Sequence, residues 1–154
     1  MISNSLEQTN QIASEFAQTL KGGEVVLMRG ELGSGKTTFV QATSKALGSH
    51  DRVHSPSFTI MNLYSIPPLT KGGLGGVYEG VREIVHLDFY RLQEQPDSLE
   101  DLGLEEWFNR EDVVIFIEWP IHEQFKDSQS KLIYIDFQII SENERKIEIN
   151  KRQG

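Results

Sequence analysis

A glycine-rich segment that ends in lysine and threonine is the part of this chain best suited to chemistry. Residues 30–37 match the pattern G-x-x-x-x-G-K-[ST] at every fixed position. In such a loop, backbone N–H groups converge on a phosphate because glycine has no Cβ to obstruct them. Lys36 is expected to reach the β- and γ-phosphates, and the Thr37 hydroxyl to bind Mg²⁺, which prefers oxygen ligands. The residues predicted to contact the nucleotide are Gly33, Ser34, Gly35, Lys36, Thr37 and Thr38.

The segments on either side of this loop support a nucleotide site. Residues 24–29 are largely apolar and typical of a buried strand, whereas residues 38–47 have helical spacing and are followed by Gly48. The N-terminus of that helix adds its dipole to the loop. Strand, loop and helix in this order are the context that the motif requires, so a mere glycine-rich turn is disfavoured.

Two acidic residues follow apolar strands and are candidates for the chemistry. Glu118 follows five consecutive apolar residues, 113–117, and Asp88 ends a second predicted strand, 83–88. Ligands of open α/β sheets bind beyond the carboxyl ends of the strands. Glu118 is therefore predicted to bind Mg²⁺ directly or through water, and Asp88 to orient a water or complete the metal shell. An ordinary surface ion pair is the alternative for Glu118, and His86 is equally compatible with a structural and a catalytic role.

A turn rich in hydroxyl groups lies between the predicted loop helix and the next strand, 58–64. Ser55, Pro56 and Ser57 occupy the position where many phosphate-loop proteins place a sensor of the γ-phosphate. Such a sensor is ordered with triphosphate and released after hydrolysis. A turn with no role in nucleotide sensing fits the same residues equally well.

The remaining pattern predicts one three-layer α/β domain over residues 1–154, with a mainly parallel central sheet as in phosphate-loop NTPases. Residues 6–20 predict a first helix, with Ser5 and Gln8 spaced as a capping box, and residues 97–108 contain a further helical region. Alternating residues in 132–139 and 145–149 predict an antiparallel hairpin at the edge of the sheet. Residues 66–80 are rich in proline and glycine and predict a flexible insertion.

Composition and charge exclude several classes of function. A formal net charge of −8 argues against non-specific nucleic-acid binding, so any nucleic-acid role is expected to be indirect. The chain has no cysteine, which excludes a disulfide framework and a thiolate metal site. No long apolar segment predicts a secretory signal or a membrane span, so a cytoplasmic location is expected by default.

Five blocks of sequence, taken in order, resemble the TsaE family, which is also called YjeE. They are residues 30–38, 55–59, 86–91, 102–106 and 118–120. The resemblance implies a small ATPase that acts on a complex of TsaB and TsaD, and for the isolated chain a monomer is expected. The resemblance further implies a role in the threonylcarbamoyl modification of adenosine 37 in tRNAs reading ANN codons, with contact to tRNA only through the partners.

Carried over to this chain, the resemblance implies ATP and Mg²⁺ as cofactors. Thr37 and Glu118 are then the metal ligands, Asp88 is a catalytic residue, and the turn at 55–57 is the nucleotide-sensing switch. The last residue of that turn is serine where the family usually has threonine, which predicts a looser switch because serine lacks the methyl that restrains χ1. The insertion at 66–80 is also longer than the resemblance leads us to expect.

Three other classes of protein share a phosphate loop. A Ras-like GTPase needs N-K-x-D to recognise guanine, and the nearest segment, residues 150–153, lacks the aspartate. A small-molecule kinase usually brings arginines over the phosphates on a lid, and residues 66–80 contain no arginine. A nucleotide-dependent switch or binding module with little turnover carries the same loop. The kinase and the binding module remain the alternatives to the ATPase.

Overall fold

A seven-stranded sheet carries the fold in the computed structural model, which describes residues 1–56, 60–68, 80–90, 103–120 and 131–151. The elements in chain order are β1 (Ile2–Ser3), α1 (Leu6–Ala17), β2 (Glu24–Arg29), α2 (Lys36–Ala46), β3 (Met61–Ser65), β4 (Glu83–Asp88), α3 (Glu105–Phe108), β5 (Val113–Glu118), β6 (Lys131–Ile139) and β7 (Arg145–Lys151). Across the sheet the strands stand in the order β1-β7-β6-β2-β5-β4-β3.

The four central strands, β6, β2, β5 and β4, run parallel, so their carboxyl ends meet at one edge of the sheet. Strand β3 pairs antiparallel with β4 on one side, and β7 and β1 extend the other side, each antiparallel to its neighbour. Glu118 pairs with Met28 on β2 and with Asp88 on β4. This register places both predicted carboxylates beside the end of the strand that leads into the phosphate loop.

Apolar layers cover both faces of the sheet. On one face, α1 and α2 pack around a cluster that includes Phe16, Phe39 and Phe116, with the Phe16 and Phe39 ring centroids 5.5 Å apart. On the other face, Leu27 and Ile117 belong to a second cluster, against which α3 packs. Strands β2 and β5 are covered on both faces, which explains their continuous apolar sequence.

The predicted α/β class and mainly parallel sheet are confirmed, with shifted helix ends. Helix α1 ends at Ala17 rather than at residue 20, and α2 begins at Lys36 rather than at residue 38. The capping box is present in modified form. The Ser5 hydroxyl accepts from the Gln8 N–H at 3.2 Å, whereas the Gln8 side chain accepts from the N–H of Asn4, one residue before the cap, at 2.6 Å.

The predicted C-terminal hairpin is confirmed, and a two-residue strand lies outside it. Strands β6 and β7 pair antiparallel, but β6 also pairs with β2, and β1 covers the outer side of β7. The Met1 amino group donates to the Ile147 carbonyl at 2.8 Å, and the Ile147 N–H donates to the Met1 carbonyl at 2.8 Å. The sequence analysis missed β1 because two residues show no periodicity.

The predicted insertion at 66–80 starts later than expected. Ile66 is buried, and its N–H donates to the Arg82 carbonyl at 2.8 Å, so the first residue of the segment packs into the fold. Residues 69–79 lie outside the described residues, as do residue 57 of the predicted switch, residues 58–59 of the strand predicted after it and residues 97–102 of the predicted helical region. The extent of a single domain stays a prediction. Within the described ranges, no helix combines the length and apolar character needed to cross a membrane.

Candidate functional site

The phosphate loop joins β2 to α2 through glycines with positive φ. At Gly30, with φ of 145°, a Cβ would lie 2.6 Å from the Phe137 carbonyl oxygen, so only glycine fits beside β6. Gly33 and Gly35 have φ of 77° and 104°. Gly35 is the N-cap of α2 and brings no side-chain cap, so the first N–H groups of the helix are available to an anion.

Lys36 is folded back onto the phosphate loop. Its Nζ donates to the carbonyl oxygens of Gly30 at 2.8 Å and Glu31 at 3.1 Å, and it lies 4.4 Å from the centroid of the Trp119 ring. Burial lowers the pKa of Lys36, and two nearby carboxylates partly offset that shift. The ammonium group is thus held over the loop, beside the place where phosphates are expected.

Glu118 links the phosphate loop to β4 through one oxygen atom. Its Oε1 accepts from the Thr37 hydroxyl at 2.8 Å and from His86 Nε2 at 2.9 Å. The residue is only 4% exposed, and a buried carboxylate needs such donors to offset its lost hydration. The two hydrogen bonds fix the position of the carboxylate relative to the Thr37 hydroxyl.

His86 contacts the site from beneath it. The ring is fully buried, and because the Glu118 oxygen accepts, Nε2 is the nitrogen that carries hydrogen. Nδ1 is buried and has no hydrogen-bond partner within the described part of the chain. The sequence left a structural and a catalytic role open for His86, and the geometry favours a third role, which is to position Glu118.

Asp88 connects the site to the segment that contains the predicted switch. It is 4% exposed, and its Oδ1 accepts from the Tyr90 N–H at 2.9 Å. Its own N–H donates to the Ile60 carbonyl at 3.0 Å. Ile60 has φ of 69°, which is uncommon for a β-branched residue, and it follows 57–59 directly. A conformational change at the predicted switch would therefore have a backbone connection to Asp88 through Ile60.

An aromatic pair closes one side of the site. The ring centroids of Tyr90 and Trp119 are 5.2 Å apart, and Tyr90 is 55% exposed. Trp119 has φ of 56°, so the chain turns sharply where β5 ends, and its N–H donates to the Met28 carbonyl at 3.2 Å. The sequence analysis assigned neither aromatic residue to the nucleotide site. The one signal for Trp119 is its place directly after Glu118.

A pocket of about 190 Å³ lies between the phosphate loop and the strand ends, and we call it the phosphate pocket. Of the predicted site residues, it brings together Gly33, Gly35, Lys36, Thr37, Thr38, Ser55, Asp88 and Glu118. Leu32, Tyr90 and Trp119 also line it and were not predicted. Ser34 and Pro56 are buried and are not among its lining residues, and Ser57 lies outside the described residues.

The side chains of this pocket suit a hard divalent cation that is held together with phosphate oxygens. Thr37 and Glu118 offer oxygen ligands 2.8 Å apart, and Asp88 lines the same pocket. No cluster of three or more His, Cys, Asp or Glu that could hold a metal occurs in the described ranges. Because Mg²⁺ commonly binds through one or two protein ligands, waters and substrate phosphates, this donor set fits Mg²⁺ that arrives with a nucleotide.

Comparison with known proteins adds an independent line of support. A family model described as "Threonylcarbamoyl adenosine biosynthesis protein TsaE" matches residues 3–149. Among solved structures, the crystal structure of Bacillus subtilis YdiB resembles the chain with a TM-score of 0.67 and 28% sequence identity. That likeness covers 96% of this chain and 80% of YdiB.

Two curated relatives carry the name tRNA threonylcarbamoyladenosine biosynthesis protein TsaE. The protein of Aquifex aeolicus is 34% identical over 154 residues, which cover 99% of this chain and 96% of the relative. The protein of Bacillus subtilis is 35% identical over 129 residues, which cover 82% of this chain and 71% of the relative. With residues 3–149 matched by the family model and these identities over most of its length, this chain belongs to the TsaE family of threonylcarbamoyl adenosine biosynthesis proteins.

Proposed function

We propose that this TsaE-family chain is a Mg²⁺-dependent ATPase that supports the threonylcarbamoyl modification of adenosine 37 in tRNAs reading ANN codons. One observation supports the ATPase most strongly. Lys36, Thr37 and Glu118 line one pocket, with the Thr37 hydroxyl 2.8 Å from the Glu118 carboxylate. Enzymes of phosphoryl transfer act mainly by positioning and by stabilising charge, and these three groups are suited to both tasks.

Each of these residues has a defined part in the proposed hydrolysis. Lys36 exchanges its two loop carbonyl acceptors for the β- and γ-phosphates. Thr37 and Glu118 hold Mg²⁺, which, when bound, neutralises charge on the phosphate oxygens. Asp88 orients a water whose oxygen bonds to the γ-phosphorus while the bond from that phosphorus to the β,γ-bridging oxygen breaks. One proton of that water stays on the new phosphate and the other passes to solvent, so the products are ADP and inorganic phosphate.

We expect the modification itself to depend on a TsaB–TsaD complex, with tRNA contacted only through these partners. A net charge of −8 is poorly suited to holding tRNA directly. Ser55 lines the phosphate pocket, and Ile60 bonds to Asp88, so the segment between them is well placed to respond to the γ-phosphate. We propose that this response changes the affinity for the partners. The chain is expected to act in the cytoplasm and to be a monomer before it binds them.

Complementation tests the proposed pathway. Cells depleted of their own TsaE should regain threonylcarbamoyl-modified tRNA, measured by mass spectrometry of tRNA nucleosides, when this chain is supplied. Lys36→Ala should fail to restore the modification because it removes the cation expected on the β- and γ-phosphates. Leu63→Ser, on the exposed edge strand β3, is the matched control and should restore it. Failure of the unaltered chain in a host whose TsaB and TsaD it binds contradicts the proposal.

A further inference from the structure

Ser55 lines the phosphate pocket from a stretch of chain that lies outside the core. Val53 and Pro56 are buried, whereas His54 and Ser55 between them are exposed. Two exposed residues in a row gain little from core packing. Polar contacts to the neighbouring backbone are therefore needed to fix the position of Ser55 at the pocket.

The hydroxyl of Tyr64 on β3 holds His54, the residue directly before Ser55. It donates to the His54 carbonyl at 3.0 Å and accepts from the His54 N–H at 3.3 Å. Tyr64 is only 4% exposed, and burial raises its pKa above the ordinary value of about 10, so the hydroxyl keeps its hydrogen at pH 7. One hydroxyl thus binds both polar groups of the His54 backbone.

The sheet fixes the ring that carries this hydroxyl. Strand β3 pairs with β4 so that Asn62 lies opposite His86. The ring centroids of Tyr64 and His86 are 6.2 Å apart, within the range of aromatic contacts. The Asn62 amide also donates to the His54 carbonyl, at 3.3 Å. Positions 62 and 64 therefore act together on the backbone of one residue.

The peptide group between His54 and Ser55 transmits this restraint. It is trans, so the His54 carbonyl and the Ser55 N–H lie in one plane and point in opposite directions. Holding the carbonyl therefore also sets the direction of the Ser55 N–H. On the other side, Pro56 restricts Ser55 to extended conformations. The Pro56 carbonyl in turn accepts from the Ile60 N–H at 2.6 Å, so Ser55 is restrained from both sides.

Other contacts hold the chain before His54. The Ser65 N–H donates to Asp51 Oδ2 at 2.7 Å. The Gln41 amide on α2 donates to the Val53 carbonyl at 2.9 Å. These two contacts fix the approach to the exposed stretch, and the tyrosine hydroxyl extends the restraint to the residue that adjoins the pocket. That placement distinguishes it from a buried hydroxyl that merely satisfies a nearby carbonyl.

We propose that Tyr64 is a positioning residue, whose hydroxyl holds the backbone of His54 and thereby keeps Ser55 in place for the γ-phosphate. This inference rests on the proposed function, in which the predicted switch responds to the γ-phosphate. A residue that is already ordered loses less conformational entropy on binding, so the hydroxyl strengthens the binding of a triphosphate. A nucleoside diphosphate has no γ-phosphate, so its affinity does not depend on Tyr64.

Tyr64→Phe tests the role most directly because it removes the hydroxyl and keeps the ring. Titration calorimetry in Mg²⁺ should show about fivefold or more weaker binding of a non-hydrolysable ATP analogue, with ADP affinity within about twofold of the unaltered protein. Tyr134→Phe makes the same change on β6, at a residue that does not line the phosphate pocket, and should alter neither affinity. Melting temperatures establish that each variant is folded.

Asn62→Ala is the second variant, and it decides the matter if Tyr64→Phe does not fold. It removes the other donor to the same carbonyl and should weaken binding of the analogue alone, by about threefold. Losses of equal size for ADP and the analogue, or no loss for either, would contradict the proposal in each folded variant.

The unaltered protein separates this inference from the function on which it rests. If it binds both nucleotides and Tyr64→Phe has no selective effect, the positioning role is wrong while the phosphate site stands. If it binds neither nucleotide in Mg²⁺, the proposed function is wrong and the role of Tyr64 falls with it.

Discussion

At the scale of single residues, one carboxylate oxygen determines much of the geometry of the site. Glu118 Oε1 accepts from Thr37 at 2.8 Å and from His86 at 2.9 Å. Hydrogen bonds to charged groups typically contribute about 1.5–3 kcal/mol. His86 does not line the phosphate pocket, so we expect any effect of His86 on a bound nucleotide to act through Glu118.

Two substitutions of His86 separate a positioning role from simple packing. Gln places its amide nitrogen close to where Nε2 lies, whereas Asn reaches only the position of Nδ1. His86→Gln should therefore keep the dependence of ATP-analogue affinity on Mg²⁺, and His86→Asn should weaken binding in Mg²⁺ by about tenfold, equivalent to ~1.4 kcal/mol. Calorimetric titration with a non-hydrolysable analogue, with and without Mg²⁺, measures the difference.

The readout without Mg²⁺ serves as the internal control, because a general loss of packing lowers affinity in both conditions. The melting temperature is expected to fall in both variants, since each leaves part of a fully buried site empty. If Gln and Asn change the Mg²⁺ dependence to the same extent, His86 only fills space beneath Glu118.

At the scale of elements, the two ends of the central strands carry different groups of side chains. The carboxyl ends carry the candidate site, whereas the other ends are joined by an ionic cluster. Arg110 donates to Glu83 at 2.8 Å and, through two nitrogens, to Asp112 at 2.9 Å. These residues stand at or just before the first residues of β4 and β5. The cluster ties the starts of the two strands whose ends hold Asp88 and Glu118.

Removing this cluster should change stability and leave the site intact. The hydrogen bonds from Arg110 lower the pKa of Asp112, so their stabilisation is present above the ordinary pKa of aspartate, about 3.9, and is lost as pH falls through the lowered pKa. The Asp112 side chain is 44% exposed, so solvent screening limits the effect to about 1 kcal/mol or less.

Urea unfolding of Arg110→Ala and the unaltered protein, at pH 7 and near pH 3, measures this contribution. The difference in unfolding free energy should shrink at the lower pH, and nucleotide affinity at pH 7 should be unchanged. A difference that stays constant with pH would indicate that the variant acts through lost packing of Arg110 on Trp107, which lies 5.2 Å away, measured from guanidinium carbon to ring centroid.

Local patterns predict the loop, its flanking elements and the acids at the strand ends, because each is a run of neighbouring residues with its own periodicity. The His86–Glu118 bond and the Trp119 ring over Lys36 depend on the register of β4 against β5 and on one turn with positive φ. No local spacing encodes either of these. Strand β1 is equally hidden, since its pairing joins residues more than 140 positions apart.

At the scale of the whole molecule, size and charge favour a function that depends on a protein partner. A chain of 154 residues with a net charge of −8 has a candidate nucleotide site at one sheet edge, and its acidic charge is poorly suited to binding RNA directly. Leu32 in the loop is 84% exposed and Tyr90 is 55% exposed, and both line the phosphate pocket. A partner that covers these two exposed side chains would exclude water from the pocket.

The central claim is that Lys36, Thr37 and Glu118 turn over ATP with Mg²⁺ and that TsaB and TsaD govern the rate. The most direct measurement is release of inorganic phosphate from ATP by the purified chain, alone and with purified TsaB and TsaD, with and without Mg²⁺. Glu118→Gln, which keeps the shape of the side chain, is the matched variant. We expect slow hydrolysis by the chain alone and about tenfold or more acceleration by the complex. Removal of Mg²⁺ and the Glu118→Gln substitution should each lower the rate by more than about tenfold, which corresponds to an activation barrier raised by more than about 1.4 kcal/mol. Absence of phosphate release in every condition, from a folded protein that binds ATP, would contradict the claim and leave a nucleotide-dependent binding module.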